Sequence, residues 1–287
     1  MFTIIVNPTS GGRKAQRILP HIEAILRKRA ITYQKIETTY PTERAMLEHV
    51  PCGKDDTVCV VGGDGTVLNI LNVLPSLDMV FICVPCGTGN DFVKTLKLPE
   101  DPVEAFKLQL DGVPTHIDYM TAGENRFINI LGIGFDVDVL KRLDEFKIKF
   151  TGLKAYIKAV VQAIKYYKPI KFEVSIDDGP FEEKSCTTFM IGNGKYLGGG
   201  MMAVPDANPF DGILDIVDIK PVNKLQLILF LPKFIKGNHI QMPIASRRRC
   251  RKVVLRAKDM EYQLDGEIKK ADALEINVIH EEMRYSL

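Results

Sequence analysis

The sequence predicts an α/β protein: a doubly wound parallel-sheet N-terminal domain, then a C-terminal domain rich in antiparallel strand and sandwich-like. Two observations carry this. Before about residue 118, apolar strand-like runs alternate with helical stripes. After it, short strand-like runs follow one another with two helices between them. The expected division is 1–118, 119–279 and a tail at 280–287, whose return to the first domain is left open.

In the first part, Phe2–Val6 is an apolar strand that ends at Asn7-Pro8. Residues 14–30 place Ile18, Ile22, Ile25 and Leu26 on one helical stripe. A second strand is expected at 33–38 and a second helix at 43–50. Residues 57–61 and 79–84 are continuous apolar runs, as in parallel strands buried on both faces, and each leads into a glycine-rich loop. Strand, crossover and strand in series argue for a doubly wound sheet. In the second part, strands are expected at 127–131, 170–177, 186–192, 214–219, 253–257 and 274–279, with helices at 153–167 and 224–235.

A net charge of +2 argues against a globally charged nucleic-acid binder, although a local basic patch remains open. No signal peptide is expected, because Phe2–Val6 is too short for one. The longest apolar run, 225–231, is broken by Gln226, Pro232 and Lys233 and falls short of the roughly 20 residues of a spanning helix. Any contact with a membrane is therefore expected to be peripheral. Cys83 and Cys86 form a C-x-x-C inside an apolar strand, where they would point to opposite faces; buried thiols in a reducing cytoplasm are the simpler reading.

Three loops carry the chemistry. Gly62-Gly63-Asp64-Gly65-Thr66 follows a strand and opens a helix expected at 67–73. Glycines let the backbone approach a phosphate, and the amides at the helix start point at the anion. An aspartate cannot face bare phosphate oxygens favourably, so Asp64 implies an intervening hard cation such as Mg²⁺. The alternative is a tight turn whose aspartate caps the helix. Gly87-Thr88-Gly89-Asn90-Asp91-Phe92 follows the next strand, and Asn7-Pro8-Thr9-Ser10-Gly11-Gly12 follows the first. All three would lie at the carboxyl edge of the sheet, where open α/β sheets bind ligands. Arg13 and Lys14 would bring positive charge there or simply begin a solvated helix. The Walker spacing and the protein-kinase H-R-D are both missing from the sequence.

These motifs resemble those of the diacylglycerol kinase catalytic-domain family. Gly62-Gly63-Asp64-Gly65-Thr66 with Asn69, Gly87-Thr88-Gly89-Asn90-Asp91-Phe92 with Lys94, and Asn7-Pro8-Thr9-Ser10-Gly11 correspond to its three N-terminal motifs. Phe127-Ile128-Asn129 with Gly132, Gly134 and Asp136 continues the likeness. So do Gly198-Gly199-Gly200, Pro205, Ala207, Asp211-Gly212 and Asp265-Gly266-Glu267, which span nearly the whole chain in order. The strongest likeness is to soluble bacterial lipid kinases of the Gram-positive diacylglycerol kinase type. Gly-Gly-Asp-Gly alone is shared with NAD kinases and phosphofructokinases; the second motif and the late Asp-Gly-Glu favour the lipid enzymes.

The resemblance implies an ATP- and Mg²⁺-dependent kinase that converts a lipid alcohol, diacylglycerol by default, to its phosphate. Nucleotide contacts would come from Asn7, Pro8, Thr9, Ser10, Gly11, Thr39, Gly63, Asp64, Gly65, Thr66, Asn69, Thr88, Gly89 and Asn90. It makes Glu267 the catalytic base, with Asp64 also in the catalytic set, where turn composition alone would give a solvent-facing hairpin residue. It implies a structural Mg²⁺ on the Asp211 carboxylate and the carbonyls of Asn208 and Ile213, a segment that composition reads only as a turn. Asp118 would join Asp64 and Asp211 through water, or make a junction hydrogen bond. Thr39 is equally a turn or N-cap threonine.

On the lipid side, the helix at 153–167 carries Lys154, Lys158, Lys165 and Lys168 beside an apolar face, which suits an interface with lipid or an ordinary surface helix. Arg247-Arg248-Arg249 with Arg251-Lys252 suits docking on anionic lipid, a solvated loop or a nucleic-acid patch, and no nucleic-acid-reading motif accompanies it. The expected setting is the cytoplasm with peripheral contact at the inner membrane face. Nucleic acid is not an expected partner, and a homodimer is left open. The rival readings are an NAD kinase-like small-molecule kinase and a non-catalytic lipid-binding protein on the same scaffold.

Overall fold

The computed structural model describes residues 1–39, 41–42, 44–147 and 153–287, and of Arg44 and residues 144–147 and 153–156 only the backbone. The chain divides into two compact units: Met1–Tyr119 with Ile279–Leu287, and Met120–Val278.

The first unit contains β1 (Phe2–Val6), α1 (Ser10–Lys28), β2 (Tyr33–Glu37), β3 (Thr57–Gly62), α2 (Asp64–Val73), β4 (Val80–Pro85), α3 (Asp91–Thr95), α4 (Pro102–Leu110) and most of β5 (Pro114–Ala122). Its strands run parallel in the order β2-β1-β3-β4, and the end of the chain adds a further parallel strand, Arg284 pairing with Val80 and Tyr285 with Phe81. Both faces are covered, which is why β1, β3 and β4 read as unbroken apolar runs. On one face Ile4, Val6, Cys59, Val61, Ile82 and Val84 pack against Leu19, Ile22 and Leu26 of α1 and Phe106 of α4. The alternate residues Ile5, Val58, Val60, Phe81 and Cys83 are also buried. Cys86 shares the α1 face while Cys83 does not, and burial pushes the Cys86 thiol up to about 11.

The edge of β4 is finished by a side chain. Buried Gln109 of α4 accepts from the Cys83 N–H at 2.9 Å and donates to the Cys83 carbonyl at 2.8 Å. The sequence pattern did not single out α4, which is begun by Asp101 accepting from the Val103 and Glu104 amides, with Pro102 at the first turn. The helix expected at 43–50 is only a tight turn at Arg44–Met46. Pro41 and Pro51 leave too little chain between them for a stable helix.

The second unit contains β6 (Asn125–Phe127), β7 (Ile130–Gly134), α5 (Phe135–Lys147), α6 (Leu153–Tyr166), β8 (Ile170–Ile176), β9 (Glu182–Cys186), β10 (Thr188–Gly192), β11 (Tyr196–Leu197), β12 (Met201–Met202), β13 (Leu214–Ile219), α7 (Lys224–Ile235), β14 (Ala245–Cys250), β15 (Lys252–Leu264) and most of β16 (Glu267–Ser286). Its pairings are antiparallel, as the sequence predicts: β14-β13-β10-β7-β15 in one run, and β15-β8-β9 in another. β15 belongs to both. Residues 253–256 pair with β8, residues 262–264 pair with β7, and a register shift between Arg256 and Met260 bends the strand from one to the other.

Helix α5 is absent from the sequence expectation because Phe135, Val137 and Val139 alternate with Asp136 and Asp138, a period-two pattern that mimics a strand. Its buried Phe135, Val139 and Leu143 join Ala159, Val160, Ala163 and Ile164 of α6 and Leu227, Phe230 and Phe234 of α7 in one core. Arg247, Arg248 and Arg249 lie on β14 rather than in a loop. They pair with Asp206, Glu182 and the couple Asp211 and Asp215 respectively, while all three guanidinium side chains stay about half exposed.

The C-terminal strand of the first unit is held by Tyr285, fully buried, stacked on Phe81 at 5.9 Å and edge-on to Phe92 at 6.0 Å. Tyr285→Ala is expected to cost about 3–5 kcal/mol, read as a lowered urea midpoint for the first unit.

Candidate functional site

The three glycine loops meet at the carboxyl ends of β1, β3 and β4. A Cβ on Gly63 would stand 2.7 Å from the Gly87 Cα, and one on Gly11 would stand 1.8 Å from the Cys86 carbonyl oxygen. Only residues without a side chain permit this approach. Gly11 also takes φ 58°, in the left-handed region, and its neighbours Gly12 and Arg13 follow at 62° and 69°. Regular helix therefore begins only near Lys14, whose Nζ reaches the Pro85 carbonyl at 3.5 Å.

Side chains lock each loop. The Asn7 carboxamide accepts from the Thr9 amide at 3.1 Å and hydroxyl at 2.8 Å. Asn90, itself at φ 50°, accepts from the Gly87 N–H at 2.9 Å and donates to the Gly87 carbonyl at 3.0 Å. Asp64, in the first turn of α2, accepts from the Asp91 N–H at 2.9 Å and so couples the loop at 62–66 to the loop at 87–92. Buried Thr66 lies against Gly62, where a Cβ would come within 2.5 Å of it. Asn69 of α2 accepts from the Thr42 amide at 2.7 Å, and the Thr42 hydroxyl donates to the Thr39 carbonyl at 3.0 Å, so Thr39 is tied to α2 through two bonds. Gly65 lies in α2, while Pro8, Ser10, Thr88 and Gly89 complete the loops; the Ser10 Oγ lies 3.6 Å from where a Gly63 Cβ would be. Asp118 is fully buried and bonded to His280, a partner not apparent from the sequence.

In the second unit, Glu267 opens β16 directly after a two-residue turn. Asp265 (φ 46°) and Gly266 (φ 95°) are both left-handed, the geometry of a tight hairpin, and Leu264 pairs with Glu267 across it. Glu267 is half-buried. The Asp265 carboxylate accepts from three consecutive amides, Ile128 at 2.9 Å, Asn129 at 3.1 Å and Ile130 at 2.8 Å. A residue that turn composition explains locally is thus the clamp between the hairpin and the segment preceding β7. Below it, Gln263 accepts from the Gly266 N–H at 2.9 Å, and Asp136 accepts from the Thr188 hydroxyl at 2.9 Å. The Asp136 Oδ2 and the Gln263 Nε2 both press on Gly132, where a Cβ would be 1.8 Å and 2.9 Å from them. Burial pushes the Asp136 carboxyl up to about 6 against the opposing effect of Thr188.

Asn208, Asp211 and Ile213 share the turn that leads into β13, with Gly212 at φ 65°. One Asp211 oxygen pairs with Arg249. The other, Oδ1, is buried without a hydrogen-bond partner, as is Asp215 Oδ2. Burial raises the Asp215 carboxyl to about 6, with Arg249 opposing and Asp211 adding to the rise. Orphaned carboxylate oxygens fit a hard cation. No group of three His, Cys, Asp or Glu side chains among the described residues is set to hold one, so main-chain carbonyls would have to supply the remaining ligands.

Two family models match the chain: the diacylglycerol kinase catalytic domain over residues 1–122, and the YegS C-terminal NAD kinase beta sandwich-like domain over 129–284. The diacylglycerol kinase of Mycobacterium tuberculosis (strain CDC 1551 / Oshkosh) is 27% identical over 284 residues, covering 96% of this chain and 92% of that protein. The diacylglycerol kinase of Bacillus subtilis (strain 168) is 27% identical over 278 residues, covering 92% and 88%. A crystal structure of a diacylglycerol kinase from Bacillus anthracis str. Sterne superposes with a TM-score of 0.73 at 22% identity, covering 99% of this chain and 96% of that one. An NAD kinase from Archaeoglobus fulgidus in complex with ATP gives 0.53 at 15%, covering 100% and 94%. At these identities the two structures speak for the fold alone.

Two outcomes follow from the second unit. Asp265→Ala leaves three amides without their acceptor and is expected to cost about 3 kcal/mol or more, measured by urea unfolding, with Asp265→Asn costing less. Asp136 has a folded value of about 6 against an ordinary 3.8, so the folded state holds its proton more tightly. Its contribution is therefore full below the ordinary value and is lost as pH rises through about 6. Between those limits the wild type should lose about 3 kcal/mol relative to Asp136→Asn, measured by parallel unfolding curves across pH.

Proposed function

Because this chain belongs to the diacylglycerol kinase catalytic-domain family and is a kinase with an alcohol acceptor, we propose that it phosphorylates a membrane lipid hydroxyl with ATP and Mg²⁺, diacylglycerol being the default substrate. The convergence of three glycine loops on the sheet edge carries this reading. Backbone amides at the start of α2, aided by the helix dipole, suit the phosphates of a nucleotide. Asn7, Pro8, Thr9, Ser10 and Gly11 would border it on one side and Thr88, Gly89 and Asn90 on the other, with Thr39 and Asn69 beyond.

Phosphoryl transfer asks the protein for positioning, charge neutralisation and a base. Mg²⁺, when bound, neutralises charge on the transferring phosphoryl group. Asp64 is the candidate residue for the nucleotide-associated ion, and Asp211 with the Asn208 and Ile213 carbonyls for a structural one. Asp118, bonded to His280, is the candidate to extend that network through water. Glu267 takes the proton from the lipid hydroxyl as its oxygen forms a bond to the γ-phosphorus. The bond from that phosphorus to the bridging oxygen breaks, ADP departs, and the proton passes from Glu267 to solvent. The hairpin favours this role, since the Asp265 clamp and the Gln263 bond fix the backbone from which Glu267 projects.

On this reading the enzyme works in the cytoplasm at the inner membrane face, where ATP and a lipid alcohol are both within reach. No helix among the described residues is long and apolar enough to cross a membrane. The test is a radiolabelled ATP assay on a panel of lipid alcohols and on NAD, with and without Mg²⁺. A labelled lipid product that needs Mg²⁺ is expected; labelled NAD with unlabelled lipid would replace this reading with the small-molecule one. Glu267→Gln should lower transfer about 10²–10⁴-fold with nucleotide affinity retained, and near wild-type turnover would remove Glu267 from its role.

A further inference from the structure

Gln263 is fully buried on β15, between buried Tyr262 and Leu264. A carboxamide taken out of water costs free energy unless both its ends find partners. Its Oε1 accepts from the Gly266 N–H, inside the turn that precedes Glu267. An N–H can be met only by the oxygen, so this bond fixes the direction of the carboxamide. The donor end, Nε2, is thereby turned toward Gly132. There it is buried and, among the described residues, has no hydrogen-bond partner.

A matching acceptor lies against the same glycine. Asp136, in the first turn of α5, is buried, and its Oδ2 likewise has no hydrogen-bond partner among the described residues. Oδ2 and the Gln263 Nε2 lie 1.8 Å and 2.9 Å from the one point that a Gly132 Cβ would occupy. Burial raises the Asp136 carboxyl, and the Gln263 carboxamide is near enough to oppose that rise. The other oxygen, Oδ1, accepts from the Thr188 hydroxyl at 2.9 Å. The groups acting on Asp136 are thus Thr188, Gln263 and the amides of Asp136 and Val137. The Cys186 thiol, which feels the Asp136 charge, is pushed up to about 12 by burial and stays neutral.

We propose that Asp136 is a positioning residue for the transfer: as the acceptor for the Gln263 Nε2 it keeps the Gln263 oxygen on Gly266, and so fixes the hairpin that carries Glu267. The Asp265 clamp ties that hairpin to the segment before β7, and the Asp136–Gln263 couple ties its turn to α5. Without the acceptor the carboxamide can turn over, which sets its donor end against the Gly266 N–H and frees the turn. The link to catalysis rests on the reading of Glu267 as the base; the hold on the hairpin does not.

The test exchanges donor and acceptor. Gln263→Glu keeps an oxygen for Gly266 but sets a carboxyl against the Asp136 carboxyl, and such a pair holds only while it shares a proton. As pH rises and the last proton leaves, repulsion opens the turn. Hydrogen exchange of the Gly266 amide in the full chain should quicken about tenfold or more. The kcat should fall about 10–10²-fold with the KM for ATP unchanged, and both effects should grow with pH relative to the wild type. Asp136→Asn/Gln263→Glu moves the donor to position 136 and the acceptor to position 263. It should recover Gly266 protection and kcat and remove the added pH dependence, which a second substitution would not do for a defect of packing alone. Thermal melting checks that both variants fold. Unchanged exchange or unchanged kcat in Gln263→Glu, or a double variant no better than the single one, would overturn the proposal. Glu267→Gln is assayed beside them: if it turns over at the wild-type rate, the base assignment fails, and exchange at Gly266 alone then decides the couple.

Discussion

The backbone of Gly63 lies against the backbone of Gly87, so close that a methyl group on either would reach within 2.7 Å of the other's Cα. The nucleotide side of the account depends on this contact. Two strand ends that would otherwise splay are drawn into one surface, because β3 and β4 remain paired to their last residues, Gly62 with Pro85, and the Cys86 N–H continues to the Gly62 carbonyl at 2.8 Å. Gly11 repeats the device against Cys86 on the other side. The rest is bracing. Asn90 occupies both polar groups of Gly87, and Asp64 holds the start of α3 through the Asp91 amide. A loop that must present amides to an anion cannot rely on the anion to order it, and here the protein's own side chains fix it in advance.

The second unit solves a similar problem with a carboxylate. A two-residue turn alone sets register but does not fix a hairpin's angle to its surroundings. Three amides converging on Asp265 supply that constraint, and the buried Gln263 beneath adds one more bond to the turn. The bulge in β15 has the complementary task, since it lets a single strand carry the hairpin at one end while pairing with β8 at the other.

Much of this was legible in the sequence for identifiable reasons. Continuous apolar runs at β1, β3 and β4, each ending in glycine, announce parallel strands with functional loops, and Leu214–Ile219 and Lys224–Ile235 are found at the bounds expected of them. What escaped depends on contacts distant in sequence. Asp265 reads as a turn residue because its three partners lie more than 130 positions away. Asp118 gives no sign of His280, nor the run of arginines on β14 of its acidic partners. Helix α5 went unexpected because its alternating Phe, Asp and Val lack helical spacing, and the helix expected at 43–50 is not supported between its flanking prolines. For 153–167 the lysine pattern leaves a lipid interface and an ordinary surface helix both open, since either setting accepts lysines beside an apolar face. The side chains of Leu153, Lys154 and Tyr156, part of that pattern, lie outside the described residues.

The claim that close glycine contact builds the phosphate surface is tested most directly by calorimetric titration of ATP with Mg²⁺ into the wild type and into Gly63→Ala. The account predicts that the wild type binds, and that the added methyl forces the two loops apart and weakens binding by at least about tenfold, about 1.4 kcal/mol. Equal affinity in the two proteins would contradict it.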